Sequence, residues 1–231
     1  MPKPKPKKAE YKFYELAQAI KNTILMSINL LHRKVVDKMI KAIPFQNKSD
    51  FLSDKLFKNH CKLYEGYVDK VNSIEKELLS HAERKDANAT YSKYRGLKKG
   101  ETYATNGVIL HELYFQNIGK TCEEPLSETK KVFEKFFDST SAYFEDLKAC
   151  GKSARGWAIL VYEQRTKSFK NILLDLHDYG VITMAYPILI LDMYEHAYTT
   201  DYGIDKETYI NNFIKDINWE VVENRIKSIE I

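Results

Sequence analysis

The stretch DMYEHAY, Asp192–Tyr198, follows directly on the apolar run YPILIL, Tyr186–Leu191. A short continuous apolar run reads as a buried strand. Carboxylates and imidazoles are costly to bury unless they are paired or bound to a metal. A buried strand that ends in Asp192, Glu195 and His196, with aromatic rings between them, therefore points to a site at its end.

Two further apolar runs lie upstream: GWAILVYEQ (156–164) and KNILLDL (170–176), with the polar RTKS between them. Both read as strands. The longer segments before them have helical spacing. In FLSDKLFKNHCKLYEGYVDKVNSIEKELLSHAERKD (51–86), Leu56, His60, Leu63, Tyr64, Tyr67, Val71, Ile74 and Leu78 form one stripe, and Ser53 is its expected N-cap. Residues 88–101 carry turn residues and read as a loop. A second helix is expected over 103–118, stopping near Gly119. Two short helices follow, joined around Asp138–Ser139, and the segment from Asp205 to Ile229 reads as a closing helix. Helices first, then three strands with helices, is an α+β pattern. The expected fold is a long-helix hairpin, then a three-stranded antiparallel sheet with helices. Apolar residues at three- and four-residue steps add a helical extension over 9–43, ended by Pro44. The expected divisions are 1–45 (basic tail and extension), 46–125 (hairpin) and 126–231 (α/β part).

The chain has 231 residues, 44% of them hydrophobic and 29% charged, with a formal net charge of +4. That balance describes a globular protein rather than a disordered one. The mild positive excess is too small to argue for nucleic acid. No stretch approaches the roughly 20 apolar residues of a membrane span. Three cysteines without paired spacing, Cys61, Cys122 and Cys150, favour a reducing compartment, and the expected location is the cytoplasm. MPKPKPKK at the start reads as a solubilising tail.

His60 and His111 each fall on the apolar stripe of one of two neighbouring helices, and Asp192 and His196 follow the buried strand. Taken alone, each histidine is an ordinary core residue. Together, three imidazoles and a carboxylate suit iron or manganese, and would also hold zinc.

Several segments resemble one family. DMYEHAYTTDY followed by YINNFIKDINWEVVENRI is similar to the C-terminal signature of the iron/manganese superoxide dismutases, with Asn218–Trp219 as its Asn-Trp pair. NGVILHELYFQNIG (106–119) resembles the family's second-helix motif, LSDKLFKNHCKLYEGYVDKVN (52–72) its first-helix motif, and GWAILVY (156–162) its first strand. The resemblance runs from about residue 42 to 228. It implies disproportionation of superoxide at one iron or manganese ion per chain. The implied ligands are His60, His111, Asp192 and His196, with solvent as the fifth. It also implies that Tyr67 is the gateway tyrosine, that Trp157 lines the site, and that His177 is the hydrogen-bond donor to the bound solvent. A homodimer or homotetramer follows, with Glu195 and Tyr198 at the interface. No nucleic-acid or membrane partner is implied.

The chain departs from the family pattern in several places, Thr199 in place of an aromatic after Tyr198 among them. The family's first ligand stands eight residues before the gateway tyrosine, whereas His60 stands seven before Tyr67. On a regular helix one residue is a rotation of about 100°. Asn59 would restore the count, but imidazole is the better ligand, and a π-type bulge missing from this chain would absorb the difference. Tyr194 replaces the signature tryptophan. Gly107 stands where iron-type members often carry glutamine. The spacing keeps open a metal-binding relative with little activity, and residues 1–43 keep open a helical interaction protein or basic-tailed nucleic-acid binder. Lys62 and Arg225 are the candidate cations for steering an anionic substrate.

Overall fold

The computed structural model describes residues 39–229 apart from 80, together with 18, 21–23, 25 and 26. Two long helices come first, α1 (Asp54–Leu78) and α2 (Lys93–Gln116). Next are α3 (Ser127–Phe137) and α4 (Thr140–Ser153), then strands β1 (Trp157–Glu163), β2 (Ser168–Leu174) and β3 (Ala185–Asp192). The short α5 (Thr199–Tyr202), α6 (Lys206–Lys215) and α7 (Trp219–Lys227) close the fold. The sheet has the order β2-β1-β3 and both pairings are antiparallel. This is the expected α+β arrangement.

α1 starts where the sequence indicates. The Ser53 hydroxyl accepts from the Leu56 N–H at 3.1 Å, satisfying one free donor of the first turn. The helix ends at Leu78, well short of residue 86, and only a single 3₁₀ turn follows at Ala82–Arg84. α2 begins ten residues earlier than the periodicity predicts. Ser92 caps it by accepting from the Arg95 N–H at 3.1 Å, and Asn88 turns the chain ahead of it by accepting from Thr90 and Tyr91 N–H. The turn-like glycines of 88–101 thus sit inside the helix. Gly100 is there for contact, because a Cβ at that position would stand 3.1 Å from the Ile74 Cδ1.

β2 starts two residues before its apolar run. The Glu163 carboxylate accepts from the N–H groups of Arg165 and Thr166 and from the Thr166 hydroxyl, which folds the turn early. The expected closing helix is two helices. Between them the Asp216 carboxylate takes the Gly119 N–H at 2.8 Å, Ile217 bridges to Ile118, and Asn218 caps α7.

Most of the expected extension lies outside the described residues. Residues 18, 21–23, 25 and 26 are helical, but 39–43 are not. There the backbone is used for tethering. Ile40 N–H donates to Asn72 Oδ1 and Ile40 C=O accepts from Asn72 Nδ2, while Ile43 N–H donates to the Tyr64 hydroxyl at 2.8 Å. Tyr64 in turn donates to Glu112 at 2.7 Å. One hydroxyl therefore joins the incoming chain to both long helices.

The core lies between the sheet and the helices. Trp157, Leu160, Leu189, Leu191, Phe133, Tyr143 and Phe213 have no exposed surface. Burial of such side chains contributes about 1.5–3 kcal/mol each before entropy is counted. α3 has no side-chain cap of its own. Glu223 of α7 supplies one from across the core, accepting from the N–H groups of Glu128 and Thr129 and from the Thr129 hydroxyl. Burial opposes ionisation of Glu223, yet these donors and the Lys227 ammonium at 3.0 Å hold its pKa below the ordinary value. Its contribution is therefore present above about pH 4.5 and is lost as the pH falls through the lower folded value. Glu223→Gln is expected to cost about 1.5–3 kcal/mol at pH 7, with the gap to the unmodified protein closing as the pH falls below the ordinary glutamate value and through the lower folded one; thermal melts across that range measure both.

Candidate metal centre

The strand register places the first carboxylate. Trp157, the first residue of β1, pairs with Asp192, the last residue of β3. The Asp192 side chain is fully buried. Its Oδ1 accepts the Tyr194 N–H at 2.9 Å, and its backbone C=O accepts from the Tyr209 hydroxyl at 2.9 Å. Oδ2 is left facing the two long helices. Three imidazoles meet it there: His60 Nε2 at 3.1 Å, His196 Nε2 at 3.2 Å and His111 Nε2 at 3.9 Å.

His60 and His111 are buried on the facing stripes of α1 and α2, with ring centroids 5.1 Å apart. His111 Nδ1–H donates to the Gly107 carbonyl at 2.6 Å. A carbonyl only accepts, so the proton is on Nδ1 and Nε2 is a bare lone pair. That Nε2 and both ring nitrogens of His60 are buried without a hydrogen-bond partner. His60 Nε2 is close to Asp192 but not aligned to donate to it. Buried polar atoms in this state demand an explanation. One ligand atom from each of the four residues lies within 4.8 Å of the others. A single cation coordinated by one nitrogen of each imidazole answers the demand for His111 Nε2 and for one nitrogen of His60, and the donor set suits iron or manganese.

The charge states fit as well. Burial pushes His60 below the ordinary imidazole value and His111 down to about 3. Burial works against ionisation of Asp192, but His196 and His60 outweigh it and hold the carboxyl well below the usual range. Neutral imidazoles and an ionised carboxylate are the forms that bind metal.

Aromatic rings wall the site. Trp157 stands edge-on to His111 at 5.1 Å, and Tyr194 stacks on His196 at 5.3 Å. α1 is a regular α-helix throughout Asp54–Leu78. Seven residues on such a helix return to nearly the same face, so Tyr67 sits beside the cluster, its ring 5.4 Å from that of His111. The ring lies over Gly107, where an added Cβ would meet it at 3.0 Å. His177 is fully buried rather than in a surface turn. It accepts from Trp157 Nε1–H at 3.0 Å and its Nε2 lies 2.8 Å from the Tyr67 hydroxyl.

The structure thus brings His60, His111, Asp192, His196, Tyr67 and His177 together. Glu195 is exposed on a 3₁₀ turn and Tyr198 is buried against Tyr209 at 5.3 Å. Arg225 has a different job from steering. Its guanidinium donates to the carbonyls of Ile188 and Leu113 and to Gln116, capping the C-terminal end of α2. Burial lowers its pKa to about 10. Sequence reasoning missed Tyr103 and Tyr209. Tyr103 was visible, since Tyr103, Gly107 and His111 stand four residues apart along one line of α2. Tyr209 carried no such signal, because its reach to Asp192 depends on how α6 packs.

Residues 125–225 match the family described as iron/manganese superoxide dismutases, C-terminal domain. The chain is 40% identical over 169 residues to an iron superoxide dismutase of Aquifex pyrophilus, covering 71% of this chain and 78% of that protein. It is 40% identical over 167 residues to an iron superoxide dismutase of Aquifex aeolicus, with the same shares. A manganese superoxide dismutase of Haloferax volcanii is 31% identical over 163 residues, 70% of this chain and 80% of that protein. With the fold, the donor cluster and these likenesses in agreement, the chain belongs to the iron/manganese superoxide dismutase family.

Proposed function

We propose that this protein converts superoxide to oxygen and hydrogen peroxide at one iron or manganese ion held by His60, His111, Asp192 and His196, with Tyr67 and His177 as its catalytic side chains. The observation that carries the reading is the convergence of three imidazole nitrogens on one buried carboxylate oxygen. When bound, the ion supplies one-electron chemistry, cycling between two oxidation states.

The side chains set the conditions for that chemistry. Asp192 offsets part of the cation's charge and anchors the cluster to the end of β3. His111 offers Nε2 because Nδ1–H is committed to Gly107. Burial, the largest cause, raises the Tyr67 pKa, so the phenol keeps its proton at neutral pH. A neutral phenol does not repel an anionic substrate and can give a proton to it after reduction. His177, held down to about 4 chiefly by burial, is neutral as well. Because Nδ1 accepts from Trp157, Nε2 carries the proton and donates to the Tyr67 oxygen.

The division of labour follows the chain order. A hairpin unit over 46–125 supplies two imidazoles, an α/β unit over 126–231 supplies Asp192 and His196, and 1–45 is an added extension. Glu195 reaches to a second copy beside His196, with Tyr198 behind it, in a homodimer or homotetramer. The exposure of Glu195 next to the partly exposed His196 supports this reading. No described helix is long and apolar enough to cross a membrane. The cytoplasm is the proposed location, supported by the free thiols of Cys61, Cys122 and Cys150.

Reconstitution separately with iron and with manganese is expected to give one ion per chain and rapid superoxide loss with at least one metal. A loaded protein that leaves superoxide unconsumed would overturn the proposal. Removing the ion with a chelator should lower the melting temperature, since the ion binds only the folded cluster. Gly107→Ala is expected to push the Tyr67 ring off its seat, costing about 1–3 kcal/mol of stability and most of the turnover; melts and assays read the two losses. Glu195→Ala should dissociate the dimer, which sedimentation reports directly.

A further inference from the structure

We infer that Tyr103 is a proton relay, joining the Tyr67 hydroxyl to solvent and replacing the proton that Tyr67 gives to reduced substrate. This rests on the dismutase reading.

The argument begins with Trp157. Its indole N–H can only donate, so His177 Nδ1 can only accept, and the proton of this neutral imidazole lies on Nε2. Nε2–H then donates to the Tyr67 oxygen at 2.8 Å. The hydrogen bond with His177 therefore cannot also be the outlet for the Tyr67 proton, nor can His177 refill it without breaking its bond to Trp157. A second group must serve Tyr67. Tyr103 is placed for it. It lies two turns before His111 on α2, its ring 4.5 Å from that of His177 and 6.1 Å from that of Tyr67. Burial first, and Tyr103 beside them second, hold the Tyr67 and Tyr194 phenols above their ordinary value. The Tyr194 hydroxyl is buried without a completed hydrogen bond. Tyr103 itself is partly exposed, and its neighbour Thr102 is in solvent. It is thus the member of the group with one end inside and one end out.

The transfer balances without a further reactant. The Tyr67 O–H bond breaks as a substrate oxygen takes its proton. The Tyr67 oxygen takes the proton of Tyr103, and the Tyr103 oxygen takes one from water, whose O–H bond breaks and whose hydroxide leaves to bulk solvent.

Tyr103→Phe removes the relay and keeps the ring. Two readouts test it. In the metal-free protein, exchange of the Tyr67 hydroxyl proton with solvent, followed by NMR, is expected to slow in the variant. Lost packing alone would speed it. In the loaded enzyme, kcat is expected to fall by about 10²-fold while kcat/KM holds, and added ammonium should restore part of it. Tyr103→His, which still carries a relaying group, should retain the exchange rate. Unchanged or faster exchange in Tyr103→Phe, or an unchanged kcat, would overturn the relay. A wild-type protein without dismutase activity would overturn the underlying reading, while the exchange result would still judge the connection between Tyr103 and Tyr67.

Discussion

The fold is organised around one fully buried carboxylate. Asp192 has no exposed surface, and a lone carboxylate in that position would be worth several kcal/mol of destabilisation. Every nearby element contributes to offsetting that cost. β1 fixes its place through Trp157, the Tyr194 N–H occupies one oxygen, Tyr209 holds the backbone behind it, and three imidazoles face the other oxygen. Those imidazoles come from three separate places in the chain. The sheet must therefore dock on the helix hairpin in one register. α2, which packs on both α1 and β3, is the element through which that docking is made.

Outside that centre, polar anchors set the ends of the elements. Glu223 caps α3 from α7, Arg225 caps α2 from α7, and Asp216 takes the Gly119 N–H just beyond α2. Each is charged or carboxylate-bearing, buried or half-buried, and bonded to backbone groups at or just beyond a helix end. The last third of the chain thus clamps the first two thirds at helix termini rather than through apolar contact alone.

The strands were readable from their apolar runs, and α1 from its stripe and from Ser53. His60, His111, Asp192 and His196 were also readable as a set, since the first two lie on apolar helix stripes and the last two follow the buried strand. What failed was set by single hydrogen bonds. Glycines 96 and 100 look like a loop until Ser92 is seen to cap the helix ahead of them. The break at Asp216–Asn218 follows from bonds to residues about a hundred positions away, which no local pattern records. The irregular course of 39–43 is dictated by Asn72 and Tyr64, again distant in sequence. The roles of Tyr67 and His177 came from family resemblance, because a spacing of seven says only that two residues share a face.

Gly107 and the seven-residue spacing are two halves of one arrangement. The Tyr67 ring occupies the volume that a side chain at 107 would fill, with atoms 3.0–3.3 Å from where its Cβ would be. A larger side chain at 107 would have to displace that ring, so positions 67 and 107 share one volume beside the His111 imidazole. The two positions are therefore not independently variable in this chain: a change at one asks for a compensating change at the other. The order in which such changes accumulate is constrained by volume alone, before any demand from the reaction is counted.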